Sequence, residues 1–347
     1  MDRPSDTHNL LLDIKDLRVH YKVYDGISQV LDGVNLQVIG GEKIGLVGES
    51  SCGKTTTVKS ILKVLPPQAR IPTGQIWFDG ADVLKMKEKE LNQMRKQKLS
   101  MIFQDPIASL NPVFTVGKQI GDTIKHSGIV DAKDKAAIHE LSVRALANCS
   151  MPDPERILEN YPFQLSGGMR QRVCIAMALA TASQLLIADE PTTNLDVTIQ
   201  EQVLNLIHEL VDGKGTSLIL ITHSLGVARQ MTDRIYVMYA GTVVETAKTT
   251  EIFENALHPY TRGLLSSIPK LTGEGIMAGI PGTVPSYLDP PRGCRFESRC
   301  PYACERCKKE KPGTYDLGNG HCVSCFLFEK EGRENPNNVE SGKGGET

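Results

Sequence analysis

The nine residues GESSCGKTT, at positions 48–56, constrain the fold of this chain more than any other stretch. They fit the pattern G-x-x-x-x-G-K-[ST], follow the apolar run EKIGLV and open the amphipathic run TTVKSIL. Such a loop surrounds phosphate oxygens with backbone NH groups at a helix N-terminus, while Lys54 reaches the outer phosphates and Thr55 offers a hydroxyl to Mg²⁺. Taken alone, it also fits a glycine-rich turn without a ligand. Together with the other motifs of the chain, it predicts an α/β nucleotide-binding fold.

Two carboxylates, Asp189 and Glu190, end the apolar run LLIADE. Because α/β sheets bind ligands at the carboxyl ends of their strands, these positions suit Mg²⁺ binding by the first acid and polarisation of water by the second. A second anion site is predicted at LSGGMRQR, residues 165–172, where a serine and two glycines precede an apolar helical run. The two phosphate-binding elements lie far apart in sequence, which indicates that one chain does not use both on one nucleotide.

The charge and hydropathy of the chain exclude some partners. Its 347 residues suggest two or three domains, and its formal net charge of −2 provides no global basic field for a nucleic acid. The N-terminus lacks the apolar core of a signal peptide, and no run of about 18 apolar residues occurs. We therefore expect a cytosolic protein whose membrane role, if any, depends on a partner.

Segments of different character divide the chain. Apolar runs at 184–190, 217–223 and 234–245 alternate with helical stretches, which predicts a mostly parallel sheet buried on both faces. Apolar residues at helical spacing over about 105–165 predict an inserted helical unit. After about residue 255, Pro and Gly become frequent and periodicity disappears. This change predicts a separate tail that is held together by something other than a large core.

In order and spacing, the motifs resemble those of the ATP-binding subunit of an ABC transporter, and specifically of the oligopeptide and dipeptide uptake group. GESSCGKTT matches the Walker A motif, IFQDPIASLNPVFTVG the Q-loop, LSGGMRQR the signature, LLIADEPTTNLD the Walker B motif and D-loop, and ITHSLGVARQMTDRIYVMYAG the H-loop region. These matches cover residues 10–250. HPYTRGLL, at 258–265, and GCRFESRCPYA in the tail resemble the C-terminal extension of the peptide group.

The resemblance implies an α/β P-loop NTPase fold of the ABC type, with a mixed sheet core, an antiparallel β subdomain and a helical subdomain. A Cys-rich, irregular C-terminal tail follows. The implied domains are an ABC ATPase domain at 10–255, with its helical subdomain at about 105–165, an extension with metal-binding cysteines at 256–330 and a disordered tail at 331–347.

The resemblance also implies a role for each site residue. Glu190 would be the general base or water-orienting group, His223 the γ-phosphate sensor and Gln104 a link between Mg²⁺ and the helical unit. Tyr21 would stack on adenine, with Tyr24 close enough in sequence to compete. The implied Mg²⁺ ligands are Thr55, Gln104 and Asp189. The implied nucleotide-binding residues are Tyr21, Gly48, Ser50, Ser51, Cys52, Gly53, Lys54, Thr55, Thr56, Ser166, Gly167, Gly168 and Asp196.

By the same resemblance, two ATPase subunits face each other head to tail, so that Ser166 and the two following glycines of one contact the γ-phosphate held by Lys54 of the other. The implied partners are a second ABC ATPase subunit, identical or homologous, two integral membrane permease subunits and, indirectly, an extracellular solute-binding protein, with no nucleic acid. The chain would be the ATP-hydrolysing subunit of a di- or oligopeptide importer, peripheral to the cytoplasmic face of the cell membrane. The alternative is a soluble ABC ATPase in translation or DNA repair, which the single Walker A motif and the missing basic excess disfavour.

Three positions depart from the pattern of the group. Asn194 stands in the D-loop where Ala is usual, and Ser224 follows His223 where Asp is common. Cys52 occupies a loop position usually given to Ser or another small residue. A tolerated small side chain is one interpretation of Cys52, and a redox-sensitive switch, which requires an accessible thiolate, is the other.

Six of the nine cysteines lie in one short segment near the end of the chain. By spacing alone, CERC and CVSC form C-x2-C-x14-C-x2-C, close to a zinc-ribbon pattern. CPYACERC also fits a motif of radical enzymes that use S-adenosylmethionine, but too few residues follow it for their barrel. The resemblance instead implies a [4Fe-4S] cluster, with Cys304 and Cys322 as extra thiols. Its ligands would be Cys294, Cys300, Cys307 and Cys325, and it would staple a segment with little apolar material. Zinc, which the spacing alone suggests, is the alternative, and free thiols or disulfides are the remaining one.

Overall fold

The computed structural model describes residues 9–181, 183–193, 195–268, 279–330 and 333–334. Asn194 and nearly all of the predicted disordered tail lie outside these residues. Every helix in the described part of the chain is too short or too polar to cross a membrane.

The strands of the described residues are β1 Leu10–Val23, β2 Gly26–Ile39, β3 Lys43–Val47, β4 Ala69–Arg70, β5 Gln75–Phe78, β6 Ala81–Asp82, β7 Leu99–Ile102, β8 Leu185–Asp189, β9 Ser217–Thr222, β10 Arg234–Tyr239, β11 Thr242–Lys248, β12 Tyr315–Asp316, β13 Cys322–Val323 and β14 Arg333–Glu334. The α-helices are α1 Lys54–Ile61, α2 Glu88–Gln97, α3 Pro106–Ser109, α4 Val116–Ser127, α5 Lys135–Asn148, α6 Pro154–Glu159, α7 Gly167–Leu179, α8 Val197–Lys214, α9 Leu225–Met231, α10 Thr249–Glu254, α11 Pro259–Ser266 and α12 Glu305–Lys309.

These elements form two compact units. The first draws on Met1–Val38, Ile44–Leu84 and Thr222–Thr347 and is called the phosphate-loop unit. The second draws on Ile39–Lys43 and Lys85–Ile221 and is called the signature unit.

The strands of the phosphate-loop unit belong to two sheets. An antiparallel sheet has the order β2-β1-β5-β6, with β4 paired to β1, and its alternating apolar residues face the core. In the other sheet β3 and β10 run parallel, while β10 and β11 form an antiparallel hairpin. The sequence predicted one strand over 234–245, but Ala240 and Gly241 adopt φ of 43° and 82° and reverse the chain. The apolar pattern continues through the turn because both strands are buried.

The signature unit contains the parallel strands β7, β8 and β9. All five residues of β8 are buried, as expected for a strand covered on both faces. Helices α3 to α6 occupy residues 106–159, and α7 and α8 follow at 167–179 and 197–214. The carboxyl end of β8 carries Asp189, with Glu190 next in the chain.

The described residues of the C-terminal extension, 256–268 and 279–330, pack into the core of the phosphate-loop unit. Its strand β13 pairs with β11, where Val323 faces Glu245. The ring of Phe296 lies 5.0 Å from that of Tyr239 and 5.4 Å from that of Tyr260, centroid to centroid. The expectation that something other than a large core holds the tail is therefore wrong. The extension has few apolar residues, but they enter the core of the preceding strands instead of forming their own.

A buried carboxylate, Glu245, attaches the start and the end of the extension to β11. It accepts hydrogen bonds from the backbone NH groups of Leu257 and His258, at 2.8 and 2.9 Å, and lies 2.8 Å from Nε2 of His321. Burial alone would raise the pKa of Glu245, but these hydrogen bonds lower it below its usual value. Burial lowers the pKa of His258 to about 4, so this ring is neutral in the folded chain.

We expect the stability of the chain to fall as the pH decreases from about 6.5 toward 4. In this range His258 binds a proton in the unfolded chain but not in the folded one. The free energy of unfolding therefore decreases by about 2 kcal/mol between pH 7 and pH 5. The folded pKa of Glu245 is also lowered, so protonation of its carboxylate adds to the loss at still lower pH. Urea unfolding at pH 7 and pH 5 measures the difference. His258→Asn, whose amide oxygen can replace Nδ1 as the acceptor of the hydrogen bond from the NH of Tyr260 at the α11 cap, should flatten this dependence, whereas the exposed His139→Asn should not.

Candidate nucleotide site

The predicted phosphate loop connects β3 to α1 in the phosphate-loop unit, and two of its glycines are sterically required. Gly53 is the N-cap of α1 with φ 104°, and a Cβ there would lie 2.6 Å from Cδ2 of Leu31. A Cβ on Gly48 would lie 2.1 Å from the carbonyl oxygen of Met238. Both positions therefore exclude any other residue without movement of the backbone.

Lys54, the first residue of α1, is buried beneath this loop. Its Nζ donates hydrogen bonds to the carbonyl oxygens of Gly48, at 2.8 Å, and Glu49, at 2.9 Å. Nζ also lies 3.8 Å from Sγ of Cys52, whose side chain is 1% exposed. Burial raises the pKa of the Cys52 thiol, although Lys54 opposes this effect. A buried, protonated thiol argues against the redox-switch hypothesis for Cys52.

Other predicted nucleotide contacts lie in the same unit. The hydroxyl of Tyr21 is 3.5 Å from Oγ1 of Thr56, whereas Tyr24 is fully exposed, which favours Tyr21 as the aromatic residue beside the loop. His223 is exposed and directly follows β9. Ser224 caps α9 by accepting a hydrogen bond from the NH of Val227 at 3.4 Å, so Ser performs here the capping role that Asp also suits.

The signature unit brings two of the predicted catalytic residues together. Nε2 of Gln104 donates to Oε2 of Glu190 at 2.9 Å, and Oγ1 of Thr193 donates to the same oxygen at 3.1 Å. Glu190 has φ 46°, a conformation that a non-glycine residue adopts only when its surroundings enforce it. Asp189 is 4% exposed at the end of β8.

The signature motif opens α7 at an exposed position. Ser166 is the N-cap and accepts from the NH of Met169 at 3.3 Å. A Cβ on Gly167 would meet nothing within 4 Å, whereas one on Gly168 would lie 3.0 Å from Cγ2 of Ile199. Asp196, the predicted D-loop contact, caps α8 by accepting from the NH of Ile199 at 2.9 Å.

Sequence reasoning missed the residues that contact the phosphate loop from the C-terminal extension. Tyr260, Tyr287 and Arg299 all form hydrogen bonds to loop residues. Glu49 is the partner of two of them, because its NH donates to Tyr260 and its carboxylate accepts from Arg299. The motifs HPYTRGLL and GCRFESRC contain Tyr260 and Arg299, so the signal was present.

Comparison with known proteins decides the family. Residues 31–193 match the family described as ABC transporter, and residues 244–307 match the C-terminal region of oligopeptide/dipeptide transporters. A probable peptide ABC transporter ATP-binding protein of Sinorhizobium fredii is 45% identical over 92% of this chain and 95% of its own length. The chain belongs to the ATP-binding proteins of ABC transporters. The oligopeptide transport ATP-binding protein OppD of Bacillus subtilis is 44% identical, over 92% of this chain and 89% of its own length.

Solved structures of ATP-binding cassettes support the ABC fold. A dimeric cassette in a post-hydrolysis state, bound to ADP and Pi, superimposes with a TM-score of 0.62 at 27% identity and covers 69% of the chain and 99% of its own. The cbiO1 protein of Clostridium perfringens, part of an ABC transporter complex, gives a TM-score of 0.60 at 25% identity over 72% of this chain and 92% of its own. This ABC protein is therefore an ATP-hydrolysing cassette of the P-loop NTPase class.

The predicted iron–sulfur cluster is wrong. The described part of this ABC protein contains no group of three or more His, Cys, Asp or Glu side chains that could hold a metal ion, which also removes the zinc alternative. The relatives are described as transport ATP-binding proteins. Core packing and the hydrogen bonds of Glu245, instead of a cluster, hold the extension in place.

Proposed function

We propose that this chain hydrolyses ATP to drive the uptake of di- and oligopeptides through membrane permease subunits. The proposal that peptides are the transported solute rests on the match of residues 244–307 to the C-terminal region of oligopeptide/dipeptide transporters. The relatives named as peptide and oligopeptide transport proteins support the same class. The chain would act at the cytoplasmic face of the membrane, as a peripheral subunit, with an extracellular solute-binding protein delivering the peptide.

In this proposal Glu190 orients or deprotonates the attacking water. Its hydrogen bonds from Gln104 and Thr193 fix the carboxylate, which suits a reaction that depends mainly on positioning and charge stabilisation. His223 would contact the γ-phosphate, and Tyr21 would stack on the adenine. The loop residues Gly48, Ser50, Ser51, Cys52, Gly53, Lys54, Thr55 and Thr56 would surround the phosphates.

The donor groups assigned to Mg²⁺ fit that ion. They are the Thr55 hydroxyl, the Gln104 side-chain carbonyl and the carboxylate of Asp189, all hard oxygen donors of the kind that Mg²⁺ prefers. Mg²⁺ is usually bound by one or two protein carboxylates together with substrate phosphates, so a cluster of three acidic ligands is not required. When bound, the ion neutralises charge on the phosphates.

We also propose a head-to-tail pair of ATPase subunits, either identical or homologous. Ser166 and Gly167 are exposed, and a Cβ on Gly167 would meet nothing within 4 Å. A glycine there thus leaves space for a ligand or partner to approach the N-terminus of α7. In the pair, Ser166, Gly167, Gly168 and Asp196 would contact the nucleotide bound by the other subunit.

The proposed function can be tested with the chain co-expressed with its permease subunits and solute-binding protein. Peptide-loaded binding protein should stimulate the ATPase activity of the complex in vesicles, because transport and hydrolysis are coupled. Stimulation by sugars or metals without peptides would contradict the solute class. RNase-sensitive association with ribosomes would favour the alternative of a soluble ABC ATPase. The relatives described above do not support this alternative.

A groove in the signature unit suits the permease contact. It has a volume of about 320 Å³ and is lined by residues of α2, β7, α4 and α7. Phe103 lines it and is 50% exposed, and the same segment also exposes Ile107, Val113 and Phe114. Exposed apolar residues in one segment mark an interaction surface. We propose that a cytoplasmic helix of a permease subunit occupies this groove.

Replacing Phe103 by Asp should reduce co-purification with the permease subunits by about 30-fold or more, because a central aromatic residue of an interface contributes about 2 kcal/mol or more. The nucleotide affinity of the isolated chain should not change. Val64→Asp places the same charge on an exposed apolar residue outside the groove and serves as the control. Unchanged co-purification of Phe103→Asp would exclude the groove as the permease contact.

A further inference from the structure

An ion pair connects the phosphate loop to the C-terminal extension. Nη1 of Arg299 donates to Oε2 of Glu49 at 2.8 Å, and Nη2 donates to Oε1 at 3.0 Å. The arginine side chain is 4% exposed and that of Glu49 28%. Two parallel hydrogen bonds between a guanidinium and a carboxylate are among the strong and orientation-specific polar contacts in proteins. The pair therefore fixes the position of a loop residue that directly follows Gly48.

Two tyrosines of the extension hold the backbone of the same loop. The hydroxyl of Tyr260 accepts from the NH of Glu49 at 3.0 Å, and that of Tyr287 donates to the carbonyl oxygen of Ser51 at 2.8 Å. Lys54 donates to the carbonyl oxygen of Glu49. The side chain, NH and carbonyl group of Glu49 are thus all engaged, two of them by the extension and the third by the lysine that we assign to the phosphates.

Arg299 is itself rigidly held. Its Nε donates to the carbonyl oxygen of Pro281 at 3.0 Å and its Nη2 to that of Ile280 at 2.9 Å. The guanidinium carbon lies 5.6 Å from the ring centroid of Tyr239. A Cβ on Gly282, which has φ 85°, would lie 3.0 Å from Cγ of Arg299. An arginine with this many contacts can impose a position on Glu49 instead of following it.

The charges explain why such a contact matters for a nucleotide. Glu49 places a carboxylate in a loop that binds phosphate oxygens, and like charges in close proximity repel each other. Arg299 neutralises this carboxylate from the side of the extension. The hydrogen bond with Glu49 raises the pKa of Arg299 above its usual value, so the guanidinium is charged at neutral pH.

We propose that Arg299 is a positioning residue for nucleotide binding, which acts through Glu49 and together with Tyr260 and Tyr287 holds the phosphate loop in its binding conformation. The C-terminal extension thereby sets the affinity of the loop for nucleotide. This role is independent of the transported solute and of the permease contact. It gives the extension a direct function at the ATP site of its own chain.

The test compares nucleotide binding by the full chain and its variants, with a non-hydrolysable ATP analogue and Mg²⁺ as the probe in calorimetric titration. Arg299→Gln should weaken binding by about 10- to 100-fold, because it frees the loop and leaves the Glu49 carboxylate uncompensated. When Glu49→Gln is added to Arg299→Gln, the affinity for the nucleotide should rise again by at least about tenfold, because the uncompensated charge is removed. In a steady-state assay KM for ATP should rise, with kcat changed less than about threefold.

Arg306→Gln is the matched control, since Arg306 is an exposed arginine of the extension that pairs with Glu310 and Glu329 instead of the loop. Its affinity should stay within about twofold of the unmodified chain. Wild-type affinity of Arg299→Gln would overturn the proposal. So would a loss that Glu49→Gln does not relieve, because a merely structural arginine would show no such rescue.

If Arg299→Gln does not fold, Tyr287→Phe, which removes one hydroxyl, tests the proposal instead. Tyr287→Phe keeps the ring and loses only the hydrogen bond to Ser51, so its melting temperature should change little. We expect its nucleotide affinity to fall by about 2- to 10-fold, the usual value of one hydrogen bond. Unchanged affinity together with an unchanged melting temperature would contradict the proposal.

Discussion

Replacing Glu190 by Gln should lower the rate of ATP hydrolysis by about 100- to 10,000-fold, the usual contribution of a positioned general base. The amide keeps an oxygen that can accept the hydrogen bonds now donated by Gln104 and Thr193 to Oε2, so the local structure should persist. The amide cannot accept a proton from water. Hydrolysis assays and titration with ATP would therefore show a catalytic loss without a binding loss.

Glu201→Gln provides the matched control for this prediction. Glu201 is an exposed residue of α8 in the same unit, and its substitution should leave the hydrolysis rate within about twofold. If subunits pair around ATP, Glu190→Gln should also accumulate as an ATP-dependent dimer, visible by size-exclusion chromatography. A variant that retains more than about a tenth of the hydrolysis rate would show that Glu190 is not the base.

Local sequence patterns predicted the elements that carry the phosphate chemistry. Gly48 and Gly53 were placed in a loop between a strand and a helix, and the structure shows why both must be glycine. The buried strand that ends at Asp189 was also predicted, because a run of apolar residues encodes a strand covered on both faces. Such features depend on residues close together in the chain, so a single sequence contains them.

Contacts between distant residues could not be predicted in this way. Glu49 and Arg299 are 250 residues apart, and no periodicity or motif relates one to the other. The metal site predicted at the cysteines of the extension was wrong for a related reason. Their spacing fits several metal patterns and carries no information on burial. Few apolar residues in that segment suggested a need for a staple, but Phe296 is buried in a core that earlier strands supply. Val323 is buried where β13 pairs with β11.

Lys54→Met is expected to abolish high-affinity nucleotide binding. The methionine matches the buried lysine stem and removes only the charged group, whose Nζ now bonds to the carbonyl oxygens of Gly48 and Glu49. Loss of one partner of a buried charge pair costs about 2–5 kcal/mol, which corresponds to about 30- to 3,000-fold in the dissociation constant. Because the lysine reaches the outer phosphates, the loss should be greatest for ATP, smaller for ADP and close to zero for AMP.

The graded loss distinguishes a phosphate contact from general damage to the loop. If Lys54→Met merely disordered residues 48–56, affinity for all three nucleotides would fall together and the melting temperature would decrease. Lys59→Met changes a lysine in the last turn of the same helix and should leave all three affinities unchanged. Equal losses for ATP and AMP would therefore assign Lys54 to the folding of the loop instead of to the phosphates. The predicted gradient requires that the ammonium group leave its carbonyl partners and bind the outer phosphates when the nucleotide enters.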